Sequence, residues 1–248
     1  MQTPNAGYLS QMPRQARFYY PGAVLHVVQR GNNRTAVFTC PRDHRFYLDC
    51  LRDAMHRHRV SVHAYVLMTN HVHLLVSPND GQGLPLMMQS LGRNYVSSFN
   101  LLHGRTGTLW EGRYKAAPVD TDHYLFACYR YMELNPVRAG IVTSPHAYHW
   151  SSHRANACGD HDPVVTPHAA FIALASSVAN RRDAYRRMFD EPLAGDSVDA
   201  IRDAARHEWA LGGPAFRAHV ETLTGRRGGR LPRGRPPANS QKFVSDPI

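Results

Sequence analysis

The apolar positions of this chain switch between two periods, and the switches mark out its elements. Apolar runs and alternation at 23–30, 61–68, 71–77 and 112–119 read as strands. Spacing of three and four at 42–58, through Phe46, Leu48, Leu51 and Met55, and again at 84–102, reads as helix. A third helix is predicted over 121–135, with Asp120, Thr121 or Asp122 to cap it, Leu125, Cys128, Met132 and Leu134 as apolar positions, and Pro136 as its stop. Thr69-Asn70 between two strands fits a tight hairpin connection.

The resulting order, β-α-β-β-α-β with an added helix, is that of an α+β ferredoxin-like sandwich. Beyond 155 the composition shifts to a Gly/Asp/Pro-containing linker at 159–167 and then to helical segments around 169–189 and 198–223. Ile201, Ala205 and Trp209, then Phe216, Val220 and Leu223, suit small amphipathic helices. The expected organisation is therefore a main domain at 13–155, a helical C-terminal module at 165–224 and a disordered basic tail at 225–248. The module either binds duplex DNA or braces the main domain; its residues do not choose between them.

Two histidines in the strand at 71–77 carry candidate chemistry. His71 and His73 are two apart, so on a strand both imidazoles leave the same face while Val72 points into the core. Such a pair is half of a metal site; the bland alternative is two hydrogen-bonded or surface-facing strand histidines. A second triplet, His56-Arg57-His58, falls in a helical segment, where neighbours two apart diverge and cannot share one ion. In the third helix Tyr131 and Asn135 are four apart and share a face, which sets a hard amide oxygen beside a phenol.

Six ordered blocks resemble the REP-associated tyrosine transposases, within the wider group of His-hydrophobe-His single-strand nucleases. The blocks are Pro13-Arg14-Gln15-Ala16-Arg17, Gln29-Arg30-Gly31-Asn32-Asn33-Arg34, His71-Val72-His73, Leu109-Trp110-Glu111-Gly112-Arg113-Tyr114-Lys115, Glu133-Leu134-Asn135-Pro136-Val137-Arg138-Ala139-Gly140 and Trp150-Ser151-Ser152. The resemblance implies the sandwich fold with the histidine pair on a central strand, His71, His73 and Asn135 as metal ligands, and Tyr131 as nucleophile on the added, catalytic helix. It further implies Mg²⁺ or Mn²⁺ and single-stranded DNA near hairpin-forming repeats. Tyr124, seven residues before Tyr131, is the competing nucleophile; Tyr129 is turned away, packed or exposed. The phenol needs help to ionise, from the metal or from a cation such as Lys115 or Arg130. Neutral imidazole and amide also suit Zn²⁺, but Cys40, Cys50, Cys128 and Cys158 are scattered without a C-x-x-C pair and read as structural thiols.

Charge agrees with a nucleic-acid partner. Lys plus Arg number 29 against 19 Asp plus Glu, a formal net charge of +10, and the pI is near 9.8; such an excess draws phosphate backbones without reading sequence. Arg30 and Arg34 bracket a Gly-Asn-Asn loop, while Arg105, Arg113 and Lys115 surround Trp110, whose indole either stacks on an unpaired base or sits in the core. In the tail, Pro232-Arg233-Gly234-Arg235-Pro236 resembles an AT-hook for the minor groove of A·T-rich duplex, the alternative being a nonspecific basic tail.

The polar start carries no secretion signal and no apolar run approaches membrane-spanning length. The expected setting is cytoplasmic and nucleoid-associated, with no membrane partner, as monomer or homodimer. Two other readings stand beside the nuclease: a non-cleaving DNA-binding protein or repressor on the same fold, and a mononuclear metal enzyme for small molecules that takes His63 or an acidic residue as third ligand.

Overall fold

The computed structural model describes residues 18–229. Strands β1 (Leu25–Arg30), β2 (Val60–Met68), β3 (His71–Pro78) and β4 (Lys115–Pro118) form one sheet in the order β2-β3-β1-β4. Every pairing is antiparallel. Helices α1 (Pro41–Arg57) and α2 (Gly83–Leu102) supply the crossovers, so the ferredoxin-like sandwich expected from the periodicity is the fold found. The fourth strand is shorter than the expected 112–119, and Trp110 meets Gly31 only through an isolated bridge.

The sheet is buried on both faces. Leu25, Val27, Tyr65, Leu67, Val72, Leu74 and Val76 face α1 and α2 in one core, with Tyr47, Leu51, Met87 and Tyr95 opposite them. Val24, Ala64, Val66, Leu75 and Ala117 face the other way, onto α3 (Leu125–Glu133). The second layer is completed by α6 (Val178–Arg187) and α7 (Gly195–His207), through Tyr185, Ile201 and Ala204, with α5 (Ala169–Ile172) adding Phe171 and the segment before α8 (Pro214–Thr224) adding Leu211. The helical region after 165 thus packs into the same core as the sheet. Its two expected helices are each broken, at 173–177 and 208–213.

The third helix differs from its prediction in an informative way. Rather than running to Asn135, it ends at Glu133, and a separate turn, α4 (Asn135–Arg138), starts at Asn135. Proline lacks an N–H but its fixed φ suits the first turn of a helix, so Pro136 opens the new turn instead of only closing the old one. No side chain caps α3; Asp120 instead holds the preceding turn, its carbonyl accepting from the Tyr124 amide.

The block Pro13 to Arg17 and the tail residues Arg233 and Arg235 lie outside the described residues. Among the described residues no helix is long and apolar enough to cross a membrane.

Candidate active site

Thr69 and Asn70 connect β2 to β3, as their sequence predicts, and Asn70 does more than turn the chain. Its amide nitrogen donates to the Arg34 carbonyl at 3.1 Å, which turns its oxygen to His71 Nδ1, 2.7 Å away. His71 therefore carries its proton on Nδ1 and keeps a lone pair on Nε2. The loop that positions Asn70 explains the glycine at 31: a Cβ there would stand 2.3 Å from the Thr35 carbonyl oxygen. Gly31 N also donates to the Asn70 carbonyl at 2.8 Å.

His73 sits deeper, between two partners. Its Nε2 lies 3.2 Å from the Asn135 amide nitrogen, across the gap from sheet to α4. Its Nδ1 lies 2.8 Å from Nε2 of His26, a residue of β1 on the same sheet face. Burial lowers the His26 and His71 pKa values to about 4, with Arg30 reinforcing the effect on His71. His73 is held well below the ordinary range by burial first and then by its neighbours His26, His71, Arg30 and Arg138. All three rings are neutral near pH 7, the form in which imidazole ligates metal.

Tyr131 stands edge-on to this group, its ring 5.8 Å from that of His73 and 6.1 Å from that of His26. Tyr131 is buried, and Arg138 lies over its ring. Tyr124, the competing phenol, is the residue just before α3, two turns earlier, and Tyr129 is fully buried among Phe171 and Tyr185. Among the described residues no third His, Cys, Asp or Glu joins His71 and His73 in an ion-holding cluster. The donor set that fits a hard divalent ion is thus the two Nε2 lone pairs and the Asn135 amide, which would turn its oxygen inward.

The expected basic residues do not all gather here. Arg30 pairs directly across from His71 in the sheet, Lys115 lies on the same face, and Arg34 is exposed on the loop beside Asn70. Lys115 donates to the Arg206 carbonyl of α7, and Arg130 donates to the Glu191 carbonyl, so neither expected cation is the one at the phenol. Arg113 lines a groove on the opposite side of the sheet with Gln29, Pro85 and Met88. Trp110 is a correction: it is 6% exposed, packed between Tyr47 and Tyr95 in the first core, and offers no face to an unpaired base. The cause is its bridge to Gly31, which turns the indole inward.

Three features of the site are not legible in the sequence. His26 carries no signal of its own in its strand. Arg138 stands out only as part of the Glu-Leu-Asn-Pro block. Glu133, fully buried, accepts four hydrogen bonds: from Ser152 Oγ (2.8 Å) and Asn156 Nδ2 (3.0 Å) on one oxygen, and from His153 Nδ1 (2.8 Å) and Tyr185 Oη (2.8 Å) on the other. That fills the acceptor capacity of a carboxylate and ties α3 to the segment at 150–156, where Ser151 bridges Val66 at the sheet edge. The Glu-Leu-Asn-Pro and Trp-Ser-Ser blocks are thereby one structural unit.

Residues 20–135 match the family model described as "Transposase IS200 like". Among solved structures, a REP-associated tyrosine transposase bound to a REP hairpin is similar at 20% identity and a TM-score of 0.47, over 64% of this chain and 96% of that one. A candidate transposase from Deinococcus radiodurans R1 is similar at 21% identity and a TM-score of 0.35, over 47% of this chain and 91% of that one. No curated protein matches in sequence.

Proposed function

From the match of residues 20–135 to the IS200-like transposase family we propose that the chain is a metal-dependent single-strand DNA endonuclease and strand transferase of the REP-associated type, with Tyr131 as nucleophile. The observation that carries this reading is the meeting of three separate segments: His73 on β3, Asn135 on α4 at 3.2 Å, and the Tyr131 ring at 5.8 Å.

The Tyr131 oxygen attacks phosphorus and the P–O3′ bond breaks. The 3′ oxygen leaves as a hydroxyl, taking up a proton as the phenol gives one up, and the 5′ phosphate stays esterified to Tyr131. The exchange conserves one phosphoester bond, so a free 3′-hydroxyl can reverse it and join a different end without ATP. His71, His73 and Asn135 would hold Mg²⁺ or Mn²⁺, which when bound polarises phosphate oxygens and offsets charge that develops on them. Arg138 lays its guanidinium over the face of the Tyr131 ring and so keeps positive charge beside the nucleophile's side chain. Arg30 and Arg34 would hold flanking phosphates, and hairpin-forming repeats are the DNA class that the sequence blocks favour.

Incubation with Mn²⁺ and labelled single strands drawn from its own genomic flanks should yield a denaturation-resistant protein–DNA adduct. Tyr131→Phe should abolish it while hairpin binding stays within a factor of a few, because only the attacking oxygen is lost. An active Tyr131→Phe beside a dead Tyr124→Phe would reassign the nucleophile. Tight DNA binding with no adduct under any metal would favour the repressor.

A further inference from the structure

We propose that His26 is a positioning residue for the metal site: it accepts the Nδ1 proton of His73 and so keeps the Nε2 lone pair of that ring aimed at the ion. The proposal rests on reading His71 and His73 as metal ligands. A ligating histidine must carry its proton on the nitrogen away from the metal, and a hydrogen-bond acceptor normally holds it there. Asn70 does this for His71, through an amide oxygen 2.7 Å from Nδ1. For His73 the group in the equivalent place is His26, its Nε2 2.8 Å from Nδ1.

The geometry is that of an in-line hydrogen bond. The two rings are 13° from coplanar and their centroids 5.1 Å apart, the separation expected when two imidazoles meet nitrogen to nitrogen. The proton order along the chain follows from its end. The Asn135 nitrogen facing His73 Nε2 can only donate, so that Nε2 accepts, and His73 has its proton on Nδ1. His26 Nε2 must then accept, which leaves the His26 proton on Nδ1. That Nδ1 is buried and has no hydrogen-bond partner among the described residues, so a local cost is borne to keep an imidazole rather than an apolar side chain at this place. A neutral acceptor also differs in effect from the carboxylate often found there, since it adds no negative charge behind the ligand and leaves the ion's charge for phosphate.

The test uses the full chain and Mn²⁺ without DNA, with binding read by the electron paramagnetic resonance of free Mn²⁺. His26→Gln keeps an acceptor at the place of Nε2; His26→Leu has similar bulk and none. The expected result is a 10- to 100-fold weaker Mn²⁺ dissociation constant for His26→Leu, recovery to within about threefold for His26→Gln, and thermal melts of both close to the unsubstituted chain. Ring ¹⁵N shifts of His73 in the metal-free and Mg²⁺-loaded protein should place its proton on Nδ1. Equal Mn²⁺ affinity in both variants, whether weak or unchanged, overturns the proposal, as does a His73 proton on Nε2; should His26→Leu fail to fold, the ¹⁵N shifts decide alone. Loss of this role with Mn²⁺ binding and adduct formation intact removes only His26, whereas no Mn²⁺ binding and no adduct from the unsubstituted chain removes the nuclease reading with it.

Discussion

The guanidinium of Arg138 lies over the ring of Tyr131, its carbon 4.5 Å from the ring centroid, and the same side chain donates to the Tyr131 carbonyl. The second contact comes where the helix is interrupted before Pro136, so one side chain both mends the backbone at the break and covers the phenol. Arg138→Leu should slow adduct formation in a single turnover by about tenfold, the worth of a partly desolvated cation over an aromatic ring. Arg138→Lys should recover little, because an ammonium neither stacks nor spans both contacts. Equal rates for all three proteins would show that this cation has no part in the chemistry.

Glu133 makes a different prediction, about the fold. Removing its carboxylate takes the acceptor from four buried donors, of which Ser152 Oγ and Asn156 Nδ2 keep only longer contacts to the Tyr65 and His63 carbonyls, so Glu133→Ala should cost about 3 kcal/mol in urea unfolding. Ser152→Ala and Tyr185→Phe each remove one donor and should cost about 1–2 kcal/mol. Together they should not add, since they share one acceptor group. Additive losses, or a Glu133→Ala chain as stable as its parent, would mean the network is ornamental.

Trp110 tests the core reading. Trp110→Ala should lose roughly 3–5 kcal/mol of stability through the cavity it opens between Tyr47 and Tyr95. DNA affinity of the folded fraction should remain the same. A variant of normal stability with weakened single-strand binding would restore the stacking role.

His63 predicts a pH dependence. Burial first, opposed by the hydrogen bond to the Thr166 carbonyl and reinforced by His168, pushes its pKa down to about 4. In the unfolded chain the imidazole titrates near its ordinary value of about 6.5. As pH falls through 6.5 the unfolded chain takes up the proton first, so stability drops between about 6.5 and 4 and levels off below, where the folded form is protonated as well. This residue accounts for roughly 3 kcal/mol of that fall. His63→Gln should give a shallower stability curve across this window; an unchanged slope would contradict the assignment.

The parts of this molecule legible in the sequence were those set by local period. The strand at 71–77 announces His71 and His73 on one face because two-residue alternation is intrinsic to extended chain, and the four-residue step from Tyr131 to Asn135 needs only a helical turn. His26 was not legible, since its closeness to His73 depends on how β1 and β3 pair across 47 positions, and a strand's sequence does not name its neighbour. Arg138 was missed for a related reason: its reach back to Tyr131 exists only because the helix breaks at Leu134, whereas a proline at 136 reads simply as an end. Trp110 stood undecided because an aromatic residue among arginines looks the same from either side of a surface until the chain's path is known.

The stretch that descent marks out is shorter than the piece of polymer that can stand alone. Its match ends at 135, yet Tyr129 is covered by Phe171 and Tyr185, and Ile201 and Leu211 fill the same layer. A gene trimmed at that boundary would encode a sheet with one oily side wet and a buried anion stripped of its company. Swapping cassettes between such proteins therefore calls for a cut far downstream, with the back helices carried along.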